Sequence, residues 1–249
     1  MPASLSMPPQ PLNATASGEV AISRQRSSDG GFRIAWGSYQ NFVSQMLTGE
    51  IVHDGSHADL SNVQVVYEYP SPQNGDSLAT FVETYNFAKD DKAVTFWTVE
   101  RTTVNGEMYE LDLSTGALTN MSPNPWHNET HLFPDERYGL EESNRASDPN
   151  GPLRGVSSLP ADVLPLILTL FGDNDYPPDA IYAGRPFDLF VIAIDDSERV
   201  RRLTHVSDIG GQAHQSVPAP DGSRVAFALQ APSSGTFAGK TGLYVGEFK

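Results

Sequence analysis

The chain has 249 residues, 31 acidic side chains against 16 basic ones and a formal net charge of −15, which argues against nucleic acid or an anionic membrane surface as partner, since both require a basic face. It contains no cysteine, so disulfides and thiolate metal sites are excluded. Its length suits one large all-β core, and a single domain is expected over residues 18–249.

Residues 1–17 are rich in Pro, Ser and Ala and are expected to form a disordered leader. They lack the apolar run after positive charge that a signal peptide needs, so no export signal is expected there. Gly18 to Trp36 gives two alternating runs about Ser27-Ser28-Asp29-Gly30-Gly31, a first hairpin. Met46 to His53, with a turn expected at Thr48-Gly49, reads as the end of that unit, and Asn62 to Tyr69 as a strand. Pro70 to Asp76 is a surface loop. From Ala79 to Ser122 a second unit is complete: two strands about Asp90-Asp91, one at Glu107–Leu113, and one after Ser114-Thr115-Gly116.

The third unit opens at Pro123 and carries an insertion of roughly thirty-six residues, set at about 143–185. Within it, Leu159 to Phe171 has helix-start chemistry followed by an apolar run, and one short helix is expected there. Two roles suit that run, a lid packed on the rest of the domain and a membrane- or partner-binding element. Its apolar core, Leu164 to Phe171, is far too short to cross a bilayer. The tract from Asp173 to Asp179 has oxygen ligands at alternate positions but lacks the Gly and distal Glu of an EF-hand loop, and reads as an acidic surface loop. Beyond it come Asp188 to Ile194, Val200 to Thr204, a hairpin about Pro220-Asp221-Gly222, and Gly242 to Phe248.

These segments repeat. Aligned on the turn, Asn128 to Glu141 matches His214 to Phe227, with Pro134-Asp135 on Pro220-Asp221, while Lys89 to Phe96 is a third copy and Ser28 to Trp36 a looser fourth. Glu107 to Leu113 with Leu118 to Ser122 likewise matches Asp188 to Ile194 with Val200 to Thr204. Four strands per unit at a period of roughly 40–60 residues is the signature of an all-β propeller of four-stranded antiparallel blades. About three and a half units are recognisable, so an incomplete propeller of three to four blades is expected, with self-association at open blade edges.

Through Pro220-Asp221-Gly222, Val225-Ala226-Phe227, Asp188-Leu189-Phe190 and Leu203-Thr204, the chain resembles the TolB-like, WD-like β-propeller repeat family over roughly residues 83–249. The resemblance implies a non-catalytic binding or scaffold protein, periplasmic or secreted, that recognises a protein, small-molecule or carbohydrate ligand at the central funnel without a cofactor. Propellers line their channel with the innermost strand of each blade. The turn alignment then places Glu83, Asn128 and His214 at one level and Thr84, Glu129 and Gln215 at the next. Asn128, Glu129, His131, His214 and Gln215 are therefore the candidate ligand-binding residues, with Glu129 supplying charge and His214 a switchable donor. The same groups would serve equally to tie neighbouring blades by hydrogen bonds.

Catalytic motifs are sparse. The sequence has no G-x-S-x-G, Walker loop or G-x-G-x-x-G. His127 and His131 bracket Glu129 in a superficially zincin-like string, but between Pro125 and Pro134, in a strand register, the two imidazoles cannot share a helix face. The enzymatic alternative is similarity to oligogalacturonate lyases, propellers that hold a manganese-like ion with several His and a Gln. Gln212, His214 and His131 are the nearest material, and that family's closely spaced His pair is absent. A divalent metal enters only under that alternative.

Overall fold

The computed structural model describes residues 16–26, 32–40, 43–53, 55–69, 82–99, 106–123, 126, 128–146, 187–230 and 241–248. The expected short helix and the acidic tract of the insertion lie outside the described residues, as does the expected leader up to residue 15. Among the described residues no helix is long and apolar enough to cross a membrane.

The described residues form antiparallel sheets in chain order: β1 (Ala16–Arg26) to β4 through β2 (Phe32–Gln40), β3 (Val43–His53) and β4 (Ala58–Tyr69); then β5 (Glu83–Ala88), β6 (Ala93–Val99), β7 (Gly106–Asp112) and β8 (Leu118–Asn120). A third sheet holds β9 (Asn128–Leu132), β10 (Tyr138–Ser143), β11 (Asp188–Ala193) and β12 (Asp196–Arg202), and a fourth holds β13 (Gln212–Pro218), β14 (Arg224–Gln230) and β15 (Gly242–Glu247). The first three have four strands and the last has three. The first unit, the loosest copy in sequence, is thus a full four-stranded sheet.

The chain divides into two compact units, Met1–Thr98 with Tyr109–Thr119, and Val99–Met108 with Asn120–Lys249. In the first, Ala35 and Met46 pack with Phe87, Val94, Phe96, Tyr109 and Leu111 in one buried cluster. Phe96 stacks on Tyr109 with ring centroids 6.0 Å apart. Arg33 donates to the Asp91 carbonyl at 2.7 Å and lies over the Phe87 ring. Alternation turns Ile34, Trp36 and Leu47 to the opposite face, where they form a separate cluster.

The turn expected at Thr48-Gly49 does not form; both residues lie inside β3, opposite Ala35 and Ile34. Gly49 is there for room. A Cβ on it would meet Leu60 Cδ1 at 3.0 Å and Trp36 Cζ3 at 3.3 Å, and the β3–β4 register shifts at this point, as a bulge does.

In the second unit Phe133, Leu140, Leu189, Ala213 and Val225 form one buried cluster between the third and fourth sheets. The two hairpins have the same turn. Glu136 N donates to Phe133 O and Phe133 N to Tyr138 O, just as Gly222 N donates to Ala219 O and Ala219 N to Arg224 O. Glu136 takes φ 55° where Gly222 takes 71°. Asp135 accepts from Arg137 N, and Asp221 from the Ser223 N–H and hydroxyl, the side-chain turn bonds that this chemistry favours.

Candidate functional site

The site is built on the β9–β10 hairpin and on β13. Glu129 and Glu142 are register partners, as are His131 and Leu140, so pleating puts all four on one face of the third sheet, and Asn128, Thr130 and Glu141 on the other. β13 is bulged between His214 and Val217, with Gln215 at φ 51°. The bulge turns two successive backbone N–H groups toward the third sheet, where the Glu142 carboxylate accepts Gln215 N at 2.7 Å and Ser216 N through its other oxygen. A side-chain acid thus stands in for the strand carbonyls that the bulge cannot reach.

Burial sorts the candidate residues. Asn128 is fully buried and its amide donates to Trp126 O at 2.8 Å. His131 is 3% exposed. Glu129 and His214 are half-buried, and Gln215 is exposed. Glu129 and the Gln215 backbone therefore meet at Glu142, with His131 on the same face beside Glu129, while Asn128 belongs to the opposite face.

Burial governs the electrostatics. It pushes the Glu142 carboxyl well above its usual range, with the neighbouring Glu129 charge adding to the effect and the Ser216 and Gln215 N–H groups opposing it. His131 is pushed down to about 4 by burial, against the attraction of Glu129. On the opposite face burial raises Glu141 to about 7, outweighing the Arg145 guanidinium that sits 2.5 Å away. Arg145 in turn lies over the rings of Trp126 and Phe190, 5.1 and 5.4 Å from their centroids.

A second acid, Asp188, is committed to structure. Fully buried at the start of β11, it accepts from Arg202 Nη2 at 2.6 Å, Thr204 Oγ1 at 2.7 Å, Val206 N at 2.9 Å and the Ser207 hydroxyl. Thr204 Oγ1 also accepts Leu189 N, and Leu203 N bonds Leu189 O. Glu107 repeats the arrangement: Ser122 Oγ donates to it at 2.8 Å and accepts Met108 N, and Met121 N bonds Met108 O. The matched strings seen in sequence are therefore matched ties in structure.

Glu142 and Ser216 escaped the sequence reading. The adjacent pair Glu141-Glu142 inside an alternating strand was the available signal, because adjacent strand residues face opposite sides and an acid on each is unusual when both sides are covered. Among the described residues no group of three or more His, Asp or Glu is arranged to hold an ion.

No family model matches the chain, and no curated protein matches it. TolB from Acinetobacter baumannii superposes with a TM-score of 0.52 at 15% identity, covering 92% of this chain and 41% of that one. The fold is propeller-type. A putative TolB from Agrobacterium tumefaciens gives 0.48 at 14% identity over 84% of this chain and 54% of that one, and a puromycin hydrolase 0.45 at 10% identity over 86% and 25%. This propeller-type chain spans about half the length of the TolB structures or less, and at such identities the likeness is one of fold alone.

Proposed function

We propose that the chain is a TolB-like β-propeller module with a non-catalytic recognition role, binding a protein or carbohydrate ligand at the mouth formed by Glu129, His214 and Gln215. The bulge of β13, fastened by Glu142, carries this reading: it presents the Gln215 side chain to solvent beside His214 while its own N–H groups are satisfied from behind. Preorganised polar groups on a rigid backbone are what a recognition site needs, because ordering them costs nothing at the moment of binding. The buried acids support the same reading. Asp188 and Glu142 are spent on backbone and side-chain ties rather than aimed at a reacting atom. His131 and Asn128 stand behind the mouth as its support.

The test compares the wild type with the Glu129→Ala, His214→Ala double variant on a glycan and peptide array, alongside ultraviolet assay of polygalacturonate cleavage with manganese present. Retained binding of an array ligand by wild type, its loss in the variant, and no unsaturated product in either supports the reading. Manganese-dependent accumulation of unsaturated uronate would sink it, as would ligand binding indifferent to both substitutions.

A further inference from the structure

Like charges directly opposite one another on one face of an antiparallel pair repel. Glu129 on β9 and Glu142 on β10 stand in that relation, and Glu142 is only 3% exposed. Two ionised carboxylates at this spacing, one of them shielded from water, are unfavourable, and one proton held between them removes the repulsion and the second buried charge together. The described groups around Glu142 are few. From β9 come Glu129 and His131, from β11 the apolar register partner Leu189, and from β13 the Gln215 and Ser216 N–H groups with His214 next to them. Burial pushes the His131 imidazole down to about 4, so it is neutral, and Arg145 serves Glu141 on the opposite face. Glu129 is the charge that acts on Glu142.

The same carboxyl group holds the bulge of β13 by both oxygens, accepting Gln215 N at one and Ser216 N at the other. Gln215 takes φ 51° there, a left-handed conformation that a residue with a Cβ keeps only where its surroundings impose it. Protonated, Glu142 keeps its carbonyl oxygen as an acceptor and gains an O–H that can donate to Glu129. Ionised, it offers two strong acceptors but places a second buried charge opposite the first. Burial and the Glu129 charge outweigh the two N–H groups and push the carboxyl well above its usual range, so the folded bulge favours the protonated form.

We propose that Glu129 and Glu142 share one proton that latches the β13 bulge, and that loss of this proton to water releases Gln215 and Ser216 from Glu142. With the proton in place, the Glu142 O–H donates to Glu129 and its oxygens support the bulge. Without it, Glu142 turns toward solvent, the two backbone donors lose their acceptor, and Gln215 leaves its left-handed conformation. A carboxyl group whose folded form holds its proton more tightly contributes fully at acid pH and loses that contribution as pH rises, so the latch opens with rising pH. The latch makes recognition by His214 and Gln215 proton-dependent, a consequence that rests on the recognition role proposed above; the latch itself does not.

Amide hydrogen exchange of the isotope-labelled full chain, followed by NMR from about pH 5 to about pH 9, reads the latch without any ligand. Protection at Gln215 and Ser216 is compared with protection at Leu203, whose N–H is bonded to Leu189 O, so that changes in overall stability cancel. The ratio is expected to fall as pH rises, by up to about tenfold per unit, the slope of one proton lost. Glu142→Gln, neutral at every pH and still an acceptor, should abolish the fall. Glu129→Gln removes the opposing charge and should shrink it. A constant ratio in the wild type would overturn the proposal, as would a fall that persists unchanged in either variant. Urea unfolding checks that both variants are folded, and Glu129→Gln, at a half-buried position, keeps the test decisive where Glu142→Gln does not fold. A pH-dependent ratio in a protein that binds no array ligand supports the latch and sinks the recognition role alone.

Discussion

Glu142 accepts the backbone N–H of Gln215 at 2.7 Å across two sheets of the second unit, and the same carboxylate also takes Ser216 N. Removing it strands two donors, one of them buried. Glu142→Ala should cost about 2–4 kcal/mol, the penalty for unsatisfied buried groups, and Glu142→Gln, which keeps one acceptor oxygen, about half of that. Urea unfolding measures both. Equal losses in the two variants would show that packing, not hydrogen bonding, fixes the bulge.

Stability should depend on pH through three buried groups. Glu141, raised to about 7 by burial, contributes fully below its ordinary 4.5 and loses that contribution as pH rises toward 7. Glu142, raised by burial and by Glu129, acts in the same direction. His131, lowered from 6.5 to about 4 by burial, contributes fully above 6.5 and loses it as pH falls. Between pH 4.5 and 6.5 two glutamates oppose one histidine, so the wild type should weaken as pH rises, the Glu141 and His131 shifts each being worth on the order of 3 kcal/mol. Glu141→Gln should flatten the profile and His131→Gln should steepen it. Urea midpoints at three pH values decide, and an unchanged slope in both variants would contradict the assignment.

The two matched turns predict reciprocal effects. Glu136 holds φ 55° where its counterpart Gly222 holds 71°, and a left-handed residue with a Cβ costs roughly 1 kcal/mol. Glu136→Gly should therefore stabilise by up to that amount, and Gly222→Ala should destabilise by a similar amount, since its added Cβ would meet Pro134 only at ordinary contact distance. Thermal melts of the two single variants should shift in opposite directions.

Asp188 should be the more costly of the two strand fastenings. It ties one cation, two hydroxyls and one backbone N–H while fully buried, and Asp188→Ala removes all four contacts at once although Arg202 keeps Asp208, a loss of about 3 kcal/mol or more. Ser122→Ala, which removes one hydroxyl between Glu107 and Met108 N, should cost about 1–3 kcal/mol. Hydrogen exchange at Leu189 and Met108 would report the loosening locally.

The repeat was legible because its punctuation is chemical: Pro-Asp at the turn and an acid facing a hydroxyl across the third and fourth strands are set by local hydrogen bonding, so Asp188 with Thr204 and Glu107 with Ser122 appear in sequence as in space. Thr48-Gly49 was misread because a glycine needed for clearance beside Trp36 and Leu60 looks the same as one needed for a turn. For the proposed mouth, the turn register brings Glu129, His214 and Gln215 forward as candidates, whereas Glu142 acquires its role from a bulge in a strand some seventy residues away, and no local pattern announces that.

Adjacent Glu141 and Glu142 have one further consequence. On one side Arg145 and two aromatic rings await a carboxylate, and on the other two peptide N–H groups do. A slip of β10 by a single residue would turn every side chain to the wrong face, bringing Leu140 or Ser143 to those partners. The two acids therefore act as a two-sided key: hydrophobic residues alone would tolerate several alignments of this hairpin with its neighbours, and only one alignment lets both carboxylates find their locks.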